Sequence, residues 1–196
     1  MKKQLVLIAF ACMASTVAMA QNWSQDLQFG IKGGVNFATV TGDYFDDPDH
    51  RTSFNAGLVL EAPIADRISL QPEVFYSGQG FDITDEPDQR DAEFQLDYIQ
   101  VPVLLKVYVI EGLNIQVGPQ FGFKVNEEID FDPNSDGGDF DTDAIEDFDM
   151  QIATGLEYKF QNNFFIQGRY TYGFSDIIKD VDIHNSVFSV NIGYMF

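Results

Sequence analysis

The feature that most constrains this chain is a period of two in hydrophobicity, recurring in eight segments separated by polar stretches. Successive side chains of a strand point to opposite faces, so such alternation marks strands with one apolar and one polar side. The first segment begins at Leu27 and sets Leu27, Phe29, Ile31, Val35 and Phe37 against Gln28, Gly30, Lys32, Gly34 and Asn36. The next six are residues 54–62, 68–81, 94–108, 113–125, 148–160 and 164–174, and the eighth places Phe188, Val190, Ile192, Tyr194 and Phe196 on one face. The connections alternate in length. Residues 42–52, 82–93, 126–147 and 175–185 are long and polar, whereas 63–67, 109–112 and 161–163 are short. This spacing predicts an all-β chain, an eight-stranded antiparallel up-and-down barrel elaborated at one end.

Which face turns inward decides the surroundings. A soluble barrel packs its apolar face inside, whereas a membrane barrel turns it to lipid and lines its lumen with polar groups. The polar faces carry Gly30, Gly34, Gly57, Gly118, Gly122, Gly155, Gly173 and Gly193. A solvated outer face has no use for glycine, while the narrow lumen of eight strands needs small residues to admit larger polar ones. The few polar-face charges include Lys32, Glu73 and Arg169, expected to meet as lumen ion pairs, because isolated charges there are costly. Aromatic residues gather at strand ends: Phe160, Phe164, Tyr194 and Phe196 near the short turns, and Phe81, Phe123 and Phe174 near the long loops. Membrane interfaces favour such girdles. The expectation is a transmembrane β-barrel with short periplasmic turns and long extracellular loops. A filled lumen of this size argues against a passive pore.

Residues 1–20 read as a cleaved signal peptide. Lys2 and Lys3 precede an apolar run over 5–14, and Ala18-Met19-Ala20 supplies a small-residue cleavage site. That run is too short to span a bilayer as a helix, and Cys12, the only cysteine, falls within it. Residues 21–196 then form the outer-membrane barrel domain. Phe188, Val190, Ile192, Tyr194 and Phe196 resemble the assembly signal read by the β-barrel assembly machinery, a partner during insertion. Outer-membrane lipids are the lasting surroundings.

The stretches Leu70-Gln71-Pro72-Glu73-Val74-Phe75-Tyr76-Ser77, Asp97-Tyr98-Ile99-Gln100-Val101-Pro102-Val103-Leu104-Leu105-Lys106, Gly118-Pro119-Gln120-Phe121-Gly122 and Arg169-Tyr170-Thr171-Tyr172-Gly173 carry a resemblance. Together with the final strand they resemble the PorT-like outer-membrane β-barrel domain of Bacteroidota, over essentially the whole chain after residue 20. The resemblance implies an eight-stranded barrel in the outer membrane. It implies no activity, since fold alone does not carry function.

The formal charge is −20, and 24 of the 31 acids lie in the long connections or at their edges. This charge excludes nucleic acid, which needs clustered Lys and Arg. Residues 126–149 hold 11 acids and no Lys or Arg. A solvated acidic loop is one reading of that block. The other is a divalent cation site: Asp132, Asn134, Asp136, Gly138 and Asp143 fall within a stretch matching an EF-hand loop, with Gly137 at its turn. Ca2+ is then the expected cation, although Asp143 replaces the longer Glu and no helices flank the loop. His184-Asn185-Ser186 resembles the His–Ser pair of outer-membrane lipid A deacylases, with Asp182 as orienting acid. The spacing is too short to specify a dyad. The expected function is a structural or surface-interaction barrel, not an enzyme, whose acidic loops meet divalent cations or a surface protein. A lipid-modifying enzyme and a calcium-dependent adhesin are the alternatives.

Overall fold

The computed structural model describes residues 27–42, 50–85, 90–130, 138–139, 146–175 and 183–196. The alternating segments form β1 (Gln28–Gly42), β2 (Arg51–Ala65), β3 (Ile68–Asp85), β4 (Arg90–Tyr108) and β5 (Leu113–Asp130). A two-residue strand, β6 (Gly138–Asp139), follows, then β7 (Phe148–Lys159), β8 (Phe164–Gly173) and β9 (Ile183–Met195). Every pairing is antiparallel. Consecutive long strands pair in turn, and β1 pairs with β9 from Gly30↔Met195 to Gly42↔Ile183, which closes eight strands into a barrel.

The barrel is inverted relative to a soluble fold. Phe29 is 56% and Leu58 is 58% exposed, while Lys106 is 1% and Gln100 is 0% exposed. Along β9 the outward Phe188, Val190 and Ile192 alternate with buried Ser189 and Asn191. Such an arrangement has low free energy only where lipid meets the outer face. The aromatic girdle at the turn end is a packed cluster. Tyr158 meets Phe160 at 4.9 Å, Phe164 meets Tyr194 at 5.0 Å and Tyr194 meets Phe196 at 5.3 Å between ring centroids. Near the loop end Phe148 lies 5.6 Å from Phe123, and Tyr172 lies 5.9 Å from Phe174.

Glycine makes room where the wall is crowded. A Cβ on Gly193 would stand 2.2 Å from the Phe165 ring, and one on Gly118 would stand 2.2 Å from the Val103 carbonyl. Phe165 fills the space above Gly193 and joins Val59 and Met195 in a small buried apolar cluster, and Phe75, Leu96 and Leu104 are further apolar residues buried among the polar ones.

The structure also corrects the loop over 82–93. The β3–β4 ladder continues through Phe81↔Phe94, Asp82↔Glu93 and Ile83↔Ala92 to Asp85↔Arg90. β4 pairs onward with β5 as far as Glu93↔Asp130, and β6 adds to β5 through Glu128↔Asp139. Alternation of Phe81 and Ile83 with Asp82 and Thr84 suffices for a strand despite the acids. By contrast β2 reaches β3 only to Ser77, and β7 reaches β5 only to Phe123. β3, β4, β5 and β6 therefore rise past the barrel rim as a small sheet.

Candidate functional site

Two linked charge clusters occupy the lumen, and strand parity puts them there. Lys32, Glu73 and Arg169 sit at polar-face positions of β1, β3 and β8, distant along the chain but brought together by closure. Arg169 Nη1 donates to Glu73 Oε2 at 2.8 Å and Nη2 donates to Oε1 at 2.6 Å, the bidentate geometry that suits a guanidinium. Lys32 Nζ adds a third bond to Glu73 Oε2 at 2.6 Å. All three residues are buried.

Toward the turn end, Lys106 reaches Glu157 at 2.5 Å and Glu61 at 3.0 Å. The Tyr108 hydroxyl donates to Glu61 Oε1 at 2.6 Å. Lys159 lies 3.6 Å from Glu61 and also donates to Gln28 Oε1. Gln71 couples the clusters, accepting from Lys106 at 2.9 Å and donating to Glu73 at 2.7 Å. Gln116 does the same on the other wall, accepting from Arg169 and donating to Glu157 at 2.8 Å. The charges sit where water is scarce, and their hydrogen bonds offset that burial. Gln71, Gln116, Lys106, Glu61 and Glu157 belong to one network with the triad. Sequence reading left the glutamines out because a neutral amide carries no signal of its partner.

At the rim, Lys124 pairs with Glu127 at 2.9 Å and lies 3.6 Å from Asp147. In the raised sheet the backbone register sets Glu93 between Asp82 and Asp130 across three strands. Of the expected calcium loop, only Gly138 is among the described residues, in β6; Asp132, Asn134, Asp136 and Asp143 lie outside them. Among the described residues no group of three or more acids, His or Cys is arranged to hold a metal. The His184–Ser186 pair is not brought together by the contacts seen. Ser186 Oγ shares a hydrogen bond with the Tyr170 hydroxyl at 2.9 Å, while His184 Nδ1 approaches the Ser175 carbonyl at 3.2 Å. Asp182 lies outside the described residues. Of the expected assembly signal, Phe188, Val190, Ile192 and Phe196 are exposed on the outer face, and Tyr194 packs in the turn-end girdle.

The outer membrane protein beta-barrel domain model matches residues 19–179. No curated protein matches the chain. Among solved structures, the attachment invasion locus protein Ail of Yersinia pestis is 14% identical with a TM-score of 0.54, over 88% of this chain and 100% of that one. Neisserial surface protein A is 11% identical with a TM-score of 0.57, over 86% of this chain and 97% of that one. At such identities the likeness is one of fold. A barrel with lipid-facing apolar walls, matched by that family model over most of its length, belongs to the outer membrane protein beta-barrel domain family and resides in the outer membrane.

Proposed function

We propose that this barrel is a surface-interaction protein of the PorT-like kind, anchored by a lumen that does not conduct and presenting its acidic loops to a cationic partner outside the cell. The observation that carries this reading is the raised sheet of β3, β4, β5 and β6, where Asp82, Glu93 and Asp130 stand in one register row. Like charges at opposed positions destabilise a sheet, a cost that a cation at this row would offset. Ail has been solved in complex with the heparin analogue sucrose octasulfate. A sulfated polyanion is the wrong sign for the present rim, and this chain is proposed to have the opposite preference. Catalysis has no part in the reading, because the Ser186 hydroxyl is engaged with the Tyr170 hydroxyl.

The test is binding of an oligolysine peptide and of sucrose octasulfate to the barrel in nanodiscs. Oligolysine binding is expected to fall about tenfold, ~1.4 kcal/mol, in the quadruple variant Asp82→Asn, Asp91→Asn, Glu93→Gln, Asp130→Asn. Sucrose octasulfate is expected not to bind. Equal oligolysine affinity for both barrels refutes the assignment to this sheet. A calcium titration of the chain and of its Asp132→Ala, Asp136→Ala double variant tests the proposed loop site; identical heats remove it. Surface partners captured from intact cells, with and without chelator, then identify the natural ligand.

A further inference from the structure

We propose that the loop-side half of the lumen binds a small monovalent cation, Na+ or K+, on Asp149 with the side-chain oxygens of Gln120 and Gln100. Asp149 is 3% exposed and makes no ion pair among the described residues, although every other buried carboxylate described there has one. Its Oδ2 accepts from Gln151 Nε2 at 2.5 Å and from Asn185 Nδ2 at 2.7 Å. Its Oδ1 has no hydrogen-bond partner among the described residues.

The carboxylate fixes the polarity of what surrounds it. Because Asp149 accepts from the Gln151 amide nitrogen, the Gln151 oxygen is left to accept from Gln120 Nε2, at 2.7 Å. The chain of donors then ends on Gln120 Oε1, which has no partner. Gln100 is fully buried and neither atom of its amide has a partner, so rotating that amide changes nothing. Unpartnered oxygens thus outnumber unpartnered nitrogens three to one at these residues.

Register sets the groups on neighbouring strands. Gln100 on β4 and Asp149 on β7 both pair with Gly122 of β5, one from each side. Gly122 has no side chain to separate them, and the Gln100 amide already lies 3.0 Å from where its Cβ would be. Gln120 is two residues along the same face of β5. Two more unpartnered buried oxygens, Asn55 Oδ1 and Gln79 Oε1, lie on β2 and β3.

An ionised carboxylate buried without a cation is costly, so a bound cation competes with protonation for Asp149. A single positive charge balances Asp149, whereas calcium takes six to eight oxygens, usually from several carboxylates. Neutral amide oxygens are hard donors suited to an alkali cation. The acidic rim above concentrates cations at the entrance. Below, the cationic Lys32 and Arg169 close the lumen, making the site a dead end.

The experiment compares unfolding of the refolded full barrel in micelles in NaCl, KCl and N-methyl-D-glucamine chloride at equal ionic strength, so that screening is matched. The midpoint is expected to rise saturably with Na+ or K+ above that in the bulky organic cation. Asp149→Asn is expected to abolish the rise, and Gln120→Leu to shift its half-saturation to higher salt. Equal midpoints in the three salts overturn the proposal, as does an undiminished response in Asp149→Asn. If Asp149→Asn does not fold, Gln120→Leu decides: an unchanged half-saturation overturns the site. Stabilisation by Ca2+ or Mg2+ with indifference to Na+ and K+ overturns the monovalent assignment.

Discussion

Arg169 on β8 clasps Glu73 on β3 with two parallel hydrogen bonds of 2.8 and 2.6 Å, across a lumen in which both are buried. Their net contribution to stability is small while both are present, but removing one strands the other. Glu73→Gln leaves Arg169 and Lys32 without their carboxylate and is expected to cost about 3–5 kcal/mol. Urea unfolding in lipid vesicles measures it. The exchange Glu73→Arg with Arg169→Glu is expected to recover part of the loss; a double variant no better than the worse single one removes the direct coupling.

The same network predicts silence in electrical recordings. With Lys106 bridging Glu61 and Glu157, and Gln71 tying that cluster to Glu73, side chains cross the lumen and are expected to interrupt an aqueous path. The chain in a planar bilayer is expected to give no reproducible conductance steps.

Two glycines of different surroundings separate space from strand propensity. Gly118→Ala drives a methyl toward the Val103 carbonyl, 2.2 Å from the new carbon, and is expected to lose about 1–3 kcal/mol. Gly168 has nothing within 4 Å, so Gly168→Ala is expected to be neutral or slightly stabilising. Equal denaturant midpoints for both variants refute the crowding account.

The outer wall is tested at Leu58, 58% exposed among apolar neighbours. Leu58→Arg is expected to destabilise the barrel in bilayers by ~2–4 kcal/mol if Leu58 lies near the midplane. The substitution is expected to be far milder in the absence of lipid.

Phe196 is 69% exposed, yet its backbone nitrogen bonds the Phe29 carbonyl at 2.6 Å across the closing seam. Phe196→Ala keeps that bond. It is expected to lower the yield of heat-modifiable barrel in cells while leaving the unfolding midpoint of purified, refolded protein within ~0.5 kcal/mol. A matched fall in both assigns the residue to stability rather than to assembly.

The eight long strands and the inside-out orientation were legible because both rest on period-two alternation, which every strand repeats. Lys32, Glu73 and Arg169 could be named as lumen charges for the same reason, since parity alone decides the face. Parity says nothing about height along the barrel. Gln71, Gln116 and Asp149 were missed because their roles depend on which strands lie opposite, and that is set by register. Residues 82–85 and 90–93 resemble a loop in the sequence because their acid density masks a short alternation. Their neighbours on the partner strand stabilise a ladder that the residues alone do not reveal.

The seam between β1 and β9 has a consequence for biogenesis. Gly30 pairs with Met195, so the described strand nearest the start of the sequence finds its partner in the one nearest the end. The cylinder cannot close until both of these edges are present in one chain. A partial chain would carry an open edge and an unshielded apolar wall, a combination prone to aggregation.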